Sequence, residues 1–499
     1  MPATRSEQPR ACVIGAGLGG LALAIRLQTA GMATTLVEAR ERVGGSCWAH
    51  EQDGFRFEEG PSLITDPAPL RELWALAGRD MAESISLCEV TPHCRFSWPD
   101  GTTFDLSGDD AAMAREVARF APGDLAGFEQ FRRWCDEAQR DGCGQIGEGL
   151  LASPALIGRA AAPFVRYQGW RSAHGLVSHF VRNERLRQAL SFAALQSGGN
   201  PMRIGAFALL SHRIGRGQSG WWPEGGMSAL AAAMAGLFEQ LGGTIRLHDP
   251  VIAIHTLGNR AHEVETQSGW RQHCGLVASN ADVVHTYRDL IGASQRGADM
   301  ARKLADRRYS PGLFTVHLGL EGSWPGIPHS SVLMGPRYAG LFADVFDHGV
   351  LPQDFVLMLD HPSITDPTLA PPGKSVLRAA IPVANLRRLP IDWESHGTLI
   401  ENRIIAEIGR RLVPDIEDRI VTRRHTSPRD AVLDRNVYGG SAWSLEPGQL
   451  WSGRPRPANR DGRIANLYLV GSATNPGAGL PATLASAKAS ARLILENHR

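Results

Sequence analysis

Long hydrophobic runs are missing from this sequence. No stretch of its 499 residues approaches the about 18 consecutive apolar residues that a bilayer-spanning helix needs, so any membrane contact is expected to be peripheral. An excess of charge is missing too. With 52 Lys+Arg against 51 Asp+Glu the formal net charge is +1, and nothing in that balance steers the chain toward nucleic acid or an acidic polymer. Cysteine is scarce and unpatterned: Cys12, Cys47, Cys88, Cys94, Cys135, Cys143 and Cys274 are odd in number and none has C-x-x-C spacing. They carry no signature of a zinc or dithiol site and read as reduced, cytosolic thiols. The polar opening, Met1 to Arg10, runs straight into a strand without an apolar signal-peptide core, so export by that route is not expected. Internal repeats and low-complexity segments are absent as well.

What is present is too long for one compact core, because single cores stop growing near about 250–300 residues. Two or three lobes are expected. Ala11 to Ile14 reads as a short buried strand, Leu21 to Ala30 as a helix closed by Gly31, and Ala33 to Val37 as a second strand, together a βαβ unit with Glu38 at its tip. From Leu70 to Gly220 the periodicity turns helical, broken at Pro122, Pro154, Pro163 and Gly198-Gly199. Met227 to Leu241 is an Ala-rich helix, and strands follow at Val251–Ile254 and Gly275–Ala278. Strands at Leu313–Leu320 and Val376–Val383 surround a second mixed region with a helix at Leu399–Leu412. The chain closes with a strand, Asn466–Val470, a glycine-rich loop, Gly471–Gly479, and a helix, Pro481–Asn497. The expected fold is therefore α/β: a discontinuous Rossmann-type domain (1–80, 221–300 and 425–499), an inserted mostly helical lobe (81–220), and a mixed α/β domain (301–424).

The chemistry resides in glycine. Gly15-Ala16-Gly17-Leu18-Gly19-Gly20 satisfies G-x-G-x-x-G: Gly15 makes the tight turn, Gly17 admits a pyrophosphate, and Gly20 lets helix pack on strand. The helix N-terminus then faces the phosphates with its free N–H groups and its dipole. A turn of small residues alone produces the same pattern, so the context decides. Glu38 follows Gly20 by 18 positions, close to the about 20 expected of an acidic residue accepting from a ribose hydroxyl. Gly44-Gly45 then suits a chain passing beside the extended diphosphate of FAD rather than NAD. At the other end, Gly471 to Pro481 precedes a helix lined by Ala482, Ala485, Ser486 and Ala487, small enough to approach a flat ring whose reduced form is negatively charged. Loop punctuation is the plainer reading of those glycines and prolines; two chain ends meeting at one cofactor is the functional one.

These passages, with Asp53-Gly54-Phe55 through Asp66-Pro67, Ser197-Gly198-Gly199-Asn200-Pro201, Ser279 to Asp289, Gly335-Pro336-Arg337-Tyr338, Gly440-Ser441-Ala442-Trp443-Ser444 and Asn466–Gly479, resemble the bacterial carotenoid desaturases of phytoene desaturase type over about Ala11 to Leu495. The resemblance implies a peripheral membrane enzyme at the cytoplasmic face of the cell membrane: the Rossmann-type domain binds FAD, the helical lobe meets substrate and membrane, and the mixed domain meets substrate. Its FAD accepts a hydride at N5 from an apolar polyene precursor, and oxygen or a quinone takes up the electrons. It implies no metal and no nucleophile triad. The expected cofactor-binding set is Gly15, Gly17, Gly20, Glu38, Gly44, Gly45, Gly60, Pro61, Ser62, Val251, Gly471, Gly479 and Leu480. For catalysis only Arg159 offers itself.

Departures from the family pattern gather at the expected flavin and substrate face. Ser46 stands where relatives have Arg, Glu58-Glu59 where they have Asp-Ala, Asn475 where they have His, Ala482-Thr483 where they have Gly-Val, and Leu156 where they have an acidic residue. They point to a paralogue with altered substrate or product. Two other classes remain in view, a non-catalytic lipid-binding protein on the same fold and an amine oxidase. Leu150 to Phe180, with Phe164, Val165 and Trp170 interleaved with Arg159, Arg166 and Arg171, fits an interfacial segment and equally a core helix with a solvated face. Trp221-Trp222-Pro223 fits either a substrate tunnel or the core. His212, His285 and His317 read as satisfied structural histidines, and Asp282 with Arg288 as cap and brace of a helix beginning near Asn280.

Overall fold

A computed structural model describes residues 10–143, 161–212, 220–447 and 456–497. The opening βαβ unit forms as its pattern demands. Strand Ala11–Ile14 is wholly buried, helix Leu18–Thr29 buries ten of its residues, and strand Thr34–Val37 pairs in parallel with the first strand. Around them a five-stranded parallel sheet assembles in the order Leu467–Leu469, Leu276–Ser279, Ala11–Ile14, Thr34–Val37, Thr244–Arg246. Three sequence-distant segments thus build one sheet, which is the discontinuous Rossmann-type arrangement. Strands buried on both faces explain the unbroken apolar runs ACVI and LVAS.

Helices Leu18–Thr29, Gly226–Gln240 and Leu480–Asn497 cover one face through Leu21, Leu230, Met234, Leu484 and Ile494. A three-stranded antiparallel sheet, Val251–Leu257, Arg260–Thr266 and Arg271–His273, covers the other. All five strands of the parallel sheet end at one edge. That edge is where ligands bind in such folds, outside the carboxyl ends of the strands.

The second large sheet has seven strands, in the order Ile420–Thr426, Gly312–Glu321, Lys374–Val383, Leu357–Asp360, Ser330–Leu333, Cys94–Ser97, Thr103–Leu106. Helix Trp393–Arg411 packs on it through Ile400, Ile404 and Ile408. The region read as helical from Leu70 is not uniformly so: Leu87–Val90, Cys94–Ser97 and Thr103–Leu106 are strands, and the last two extend this sheet. Their four-residue length is too short for a period-two pattern to stand out against the surrounding helices. Helices Asp110–Phe120, Leu125–Arg140, Ala173–Phe180 and Glu184–Ser191 do form a lobe, closed around Phe128, Phe131, Leu176 and Leu190.

Trp222 belongs to the core: it is 1% exposed and its indole Nε1 donates to Asp366 at 3.3 Å. Asp282 caps its helix, accepting from Val284 N at 2.8 Å, and His285 pairs with Asp289 at 2.6 Å. All seven cysteines are free thiols. Among the described residues no helix is long and apolar enough to cross a membrane.

Candidate functional site

The glycines of the first turn are there because no side chain fits. A Cβ on Gly20 would lie 2.0 Å from Gly15 O, and Gly15 itself has φ +91. Gly17 caps helix Leu18–Thr29 without any side-chain hydrogen bond, so the helix presents its first N–H groups bare. The second glycine pair presses against this turn. Gly44 N donates to Ala16 O at 2.8 Å, and a Cβ on Gly45 would come within 2.9 Å of Gly17 Cα. Side chains at these positions would force the two turns apart, so glycine is what lets them pack together at the helix N-terminus.

Glu38 closes the first turn from the side. Only 5% exposed, it accepts the Ala16 N–H at 2.7 Å through Oε2 and the Arg40 N–H at 3.0 Å through Oε1. Each oxygen keeps a lone pair for a ribose hydroxyl. Asp249 N donates to Glu38 O at 3.0 Å, which brings Val251, two residues on, beside the acidic tip. The strand register is irregular between Val251 and Ala253, so the backbone there is not committed to regular pairing.

The C-terminal glycine loop arrives at the same place. A Cβ on Gly471 would lie 2.7 Å from Asn280 Oδ1, and one on Gly19 would lie 2.6 Å from the same oxygen. Thr483 Cγ2 would stand 3.0 Å from that Gly19 Cβ, so the N-termini of helices Leu18–Thr29 and Leu480–Asn497 meet. Gly479 has φ +98 with open space around it and is required by backbone conformation rather than by crowding. The helix begins at Leu480, one residue before the expected Pro481.

Gly60, Pro61 and Ser62 join these turns through Cys47, whose Cα would lie 3.2 Å from a Cβ on Gly60. From the far side this loop is braced by the seven-stranded sheet. Arg378 donates to Glu59 O at 3.5 Å and to Asp360 at 2.9 Å, and the Asp360 carboxyl is raised by burial against the opposing pull of Arg378 and Ser62. Burial alone would raise the Glu59 carboxyl as well; His317, Arg378 and Arg435 more than offset it and hold it at about 2. Its neighbour Glu58 moves the other way, raised by burial despite hydrogen bonds from Ser228 and the nearby Arg56.

Of the thirteen expected cofactor residues, Gly15, Gly17, Gly20, Glu38, Gly44, Gly45 and Gly471 therefore gather at the carboxyl edge of the parallel sheet, Val251 follows the Asp249 that bonds Glu38, and Gly60 packs on Cys47. Arg159, with Leu150, Leu151, Leu156 and Ile157, lies outside the described residues. Sequence reasoning missed three things. Asn280, packed against both Gly19 and Gly471 where the two helix ends meet, reads in the sequence only as the approach to a helix start. Asn459, buried and bonded to the C-terminal loop, gave no signal. His317 is not a satisfied structural histidine: it is fully buried with Nε2 3.2 Å from Glu59 Oε1, and neither ring nitrogen has an aligned hydrogen-bond partner. An alternating strand read only for its apolar positions conceals such a residue.

The sequence pattern of the flavin-containing amine oxidoreductases matches residues 18–495. The chain belongs to that family. This oxidoreductase is 41% identical over 487 residues to the lycopene-forming phytoene desaturase of Paracoccus sp., covering 98% of this chain and 97% of the relative. It is 40% identical over 485 residues to the lycopene-forming phytoene desaturase of Pantoea ananas, covering 97% and 99%. Among solved structures, an oxidoreductase from Methanosarcina mazei superposes with a TM-score of 0.67 at 17% identity, over 98% of this chain and 100% of that one, a likeness of fold. FAD is the cofactor.

Proposed function

We propose that this flavoprotein desaturates an acyclic carotenoid precursor, phytoene or a partly desaturated product of it. The observation that carries the reading is the convergence of Gly15–Gly20 and Gly471 on Asn280, with Gly44-Gly45 packed against the first of these turns, in a chain that is similar from end to end to lycopene-forming phytoene desaturases. When bound, FAD supplies the hydride acceptor that a hydrocarbon without carbonyl or phosphate demands. The chain's own contribution is placement. Glu38 and the bare N–H groups at Gly17 hold the dinucleotide end, and the N-terminus of helix Leu480–Asn497 offers a positive dipole to negative charge developing on the ring. The braced loop Gly60-Pro61-Ser62 fixes the wall nearest the seven-stranded sheet.

The substrate reaches the protein from a lipid surface at the cytoplasmic face of the membrane, and oxygen or a quinone reoxidises the flavin. Val165 and Trp170 support this: they are 63% and 54% exposed and stand beside the 65%-exposed side chain of Arg166. An intact glycine motif argues against a non-catalytic lipid carrier. A second reading, a paralogue acting on an already modified carotenoid, is favoured by the charged group Glu59, His317 and Arg378 behind the Gly60 loop.

Pigment analysis after co-expression with a phytoene-producing pathway tests both. Lycopene or a shorter polyene is the expected product. Failure to convert both phytoene and its partly desaturated products, by yellow, FAD-loaded protein, would overturn the first reading, and conversion of a modified carotenoid by the same protein would establish the second.

A further inference from the structure

Three arginines surround the second glycine pair, and two are already committed. Arg40 lies 3.6 Å from Glu38 and donates to Asp434 at 3.0 Å; Arg42 donates to Glu41 at 3.1 Å and to Asp434 at 3.3 Å, with its guanidinium 3.9 Å above the Trp48 ring. Ser46, immediately after the pair, carries no charge. The third is Arg435, the last residue of helix Pro428–Arg435. That helix end is clamped to the glycine loop, because Asp434 takes both Arg40 and Arg42 while Arg40 also reaches Gly45 O at 3.4 Å. Arg435 points inward beside Cys47 and Glu59. Its Nε is buried and has no hydrogen-bond partner, and the Glu59 carboxylate, whose Oε1 lies 3.2 Å from His317 Nε2, is its main charged neighbour.

A buried guanidinium with an unused N–H is costly unless a further acceptor completes it. The FAD diphosphate carries two negative charges and is expected at the helix N-terminus that opens with Gly17, beside the packed Gly44-Gly45. A planar guanidinium is the side chain best suited to phosphate oxygens. We propose that Arg435, delivered from the far end of the sequence, is the cation that faces the FAD diphosphate beside Gly44-Gly45, with Glu59 holding it in place. The proposal rests on the FAD assignment and adds to it a residue outside both glycine motifs.

Titration of apo-protein with FAD, followed by quenching of flavin fluorescence, tests it, with thermal melting of each apo-variant as the folding control. R435L and R435Q are expected to weaken FAD binding by about tenfold or more, the loss of one charge-assisted contact, and R435K by less. S46R placed on R435L restores a cation beside the glycine pair and should recover most of the affinity. R435Q keeps the polar volume and decides the case if R435L does not fold. FAD binding within twofold of wild type in R435L or R435Q would overturn the proposal, as would a loss that S46R leaves unrepaired. Wild-type apo-protein that binds no FAD would sink the cofactor assignment itself, whereas tight binding by wild type and R435L alike would remove only Arg435.

Discussion

The amide of Asn459 donates to the hydroxyl of Ser486 at 3.0 Å, deep inside the C-terminal half of the cofactor site. The same Nδ2 lies 3.2 Å from both Asn475 O and Ser490 Oγ, and 3.4 Å from Thr474 Oγ1. Ser486 Oγ in turn accepts the Gly471 N–H at 3.1 Å. One buried side chain, 6% exposed, thus ties the Gly471–Gly479 loop to the helix that follows it. N459A would leave these acceptors short of a donor and cost about 1–3 kcal/mol. The expected result is a lower urea midpoint and purified protein with a reduced ratio of flavin to protein absorbance. N459D, which sets a negative charge against the same oxygens, should be worse than N459A.

Glycine substitutions should separate crowding from conformation. A Cβ on Gly20 meets Gly15 O at 2.0 Å, whereas one on Gly31, at φ +86, meets nothing within 4 Å. G31A then costs only the left-handed backbone strain, roughly 1 kcal/mol, and should retain FAD. G20A must push helix from strand, costing about 3 kcal/mol or more, and should emerge colourless. Equal melting temperatures for the two variants would show that the first turn tolerates displacement and that its glycines are not dictated by packing.

Much of this was legible in the sequence, and for identifiable reasons. The parallel strands announce themselves because burial on both faces leaves runs such as Ala11–Ile14 wholly apolar, and the glycine motif because Gly20 and Gly44 leave no room for a Cβ while Gly15 needs a positive φ. Helix Trp393–Arg411 was found from Leu399 onward. Its first turn was missed because its N-cap, Asp392, follows Pro390 and Ile391 in a stretch without helical periodicity. What stayed hidden is long-range. Asn280 owes its role to two helix ends that only the folded sheet brings together. The partnership of Glu59 with His317 spans two sheets, and neither neighbourhood along the chain marks it. The strands Cys94–Ser97 and Thr103–Leu106 were lost because a short edge hairpin carries too little pattern to outweigh the helices around it.

Glu59 also gives a signed pH dependence. Its folded carboxyl sits at about 2 against an ordinary 4.5, since His317, Arg378 and Arg435 outweigh its burial. A depressed carboxyl adds stability that is fully present above 4.5 and drains away as pH falls through 2. Wild type should therefore exceed E59Q by up to about 3 kcal/mol near neutrality, and the gap should narrow between pH 4.5 and the acid limit of the measurement. Urea melts of both proteins from pH 3 to pH 7, an interval of about 4 units chosen around the ordinary carboxylate range, provide the check. A difference that does not change across that interval would mean that Glu59 is not ionised by its neighbours.

The surface beside Arg166 makes the last prediction. Phe164 and Trp170 have ring centroids 6.1 Å apart, and Trp170 with Val165 is mostly exposed. Neither apolar residue is buried by the described part of the lobe, and the 65%-exposed side chain of Arg166 supplies a cation beside them. Burying a Trp and a Val in the interface contributes on the order of 3 kcal/mol, with a smaller term from each cation near anionic lipid. The double change V165E/W170E should therefore lower partitioning onto phosphatidylglycerol-containing vesicles by about a hundredfold. Its flavin content and melting temperature should stay with wild type, because both residues lie far from the glycine motif in the sequence and outside the lobe's core. Vesicle binding that survives the double change, while high salt abolishes it, would relocate the contact from this apolar pair to the arginines.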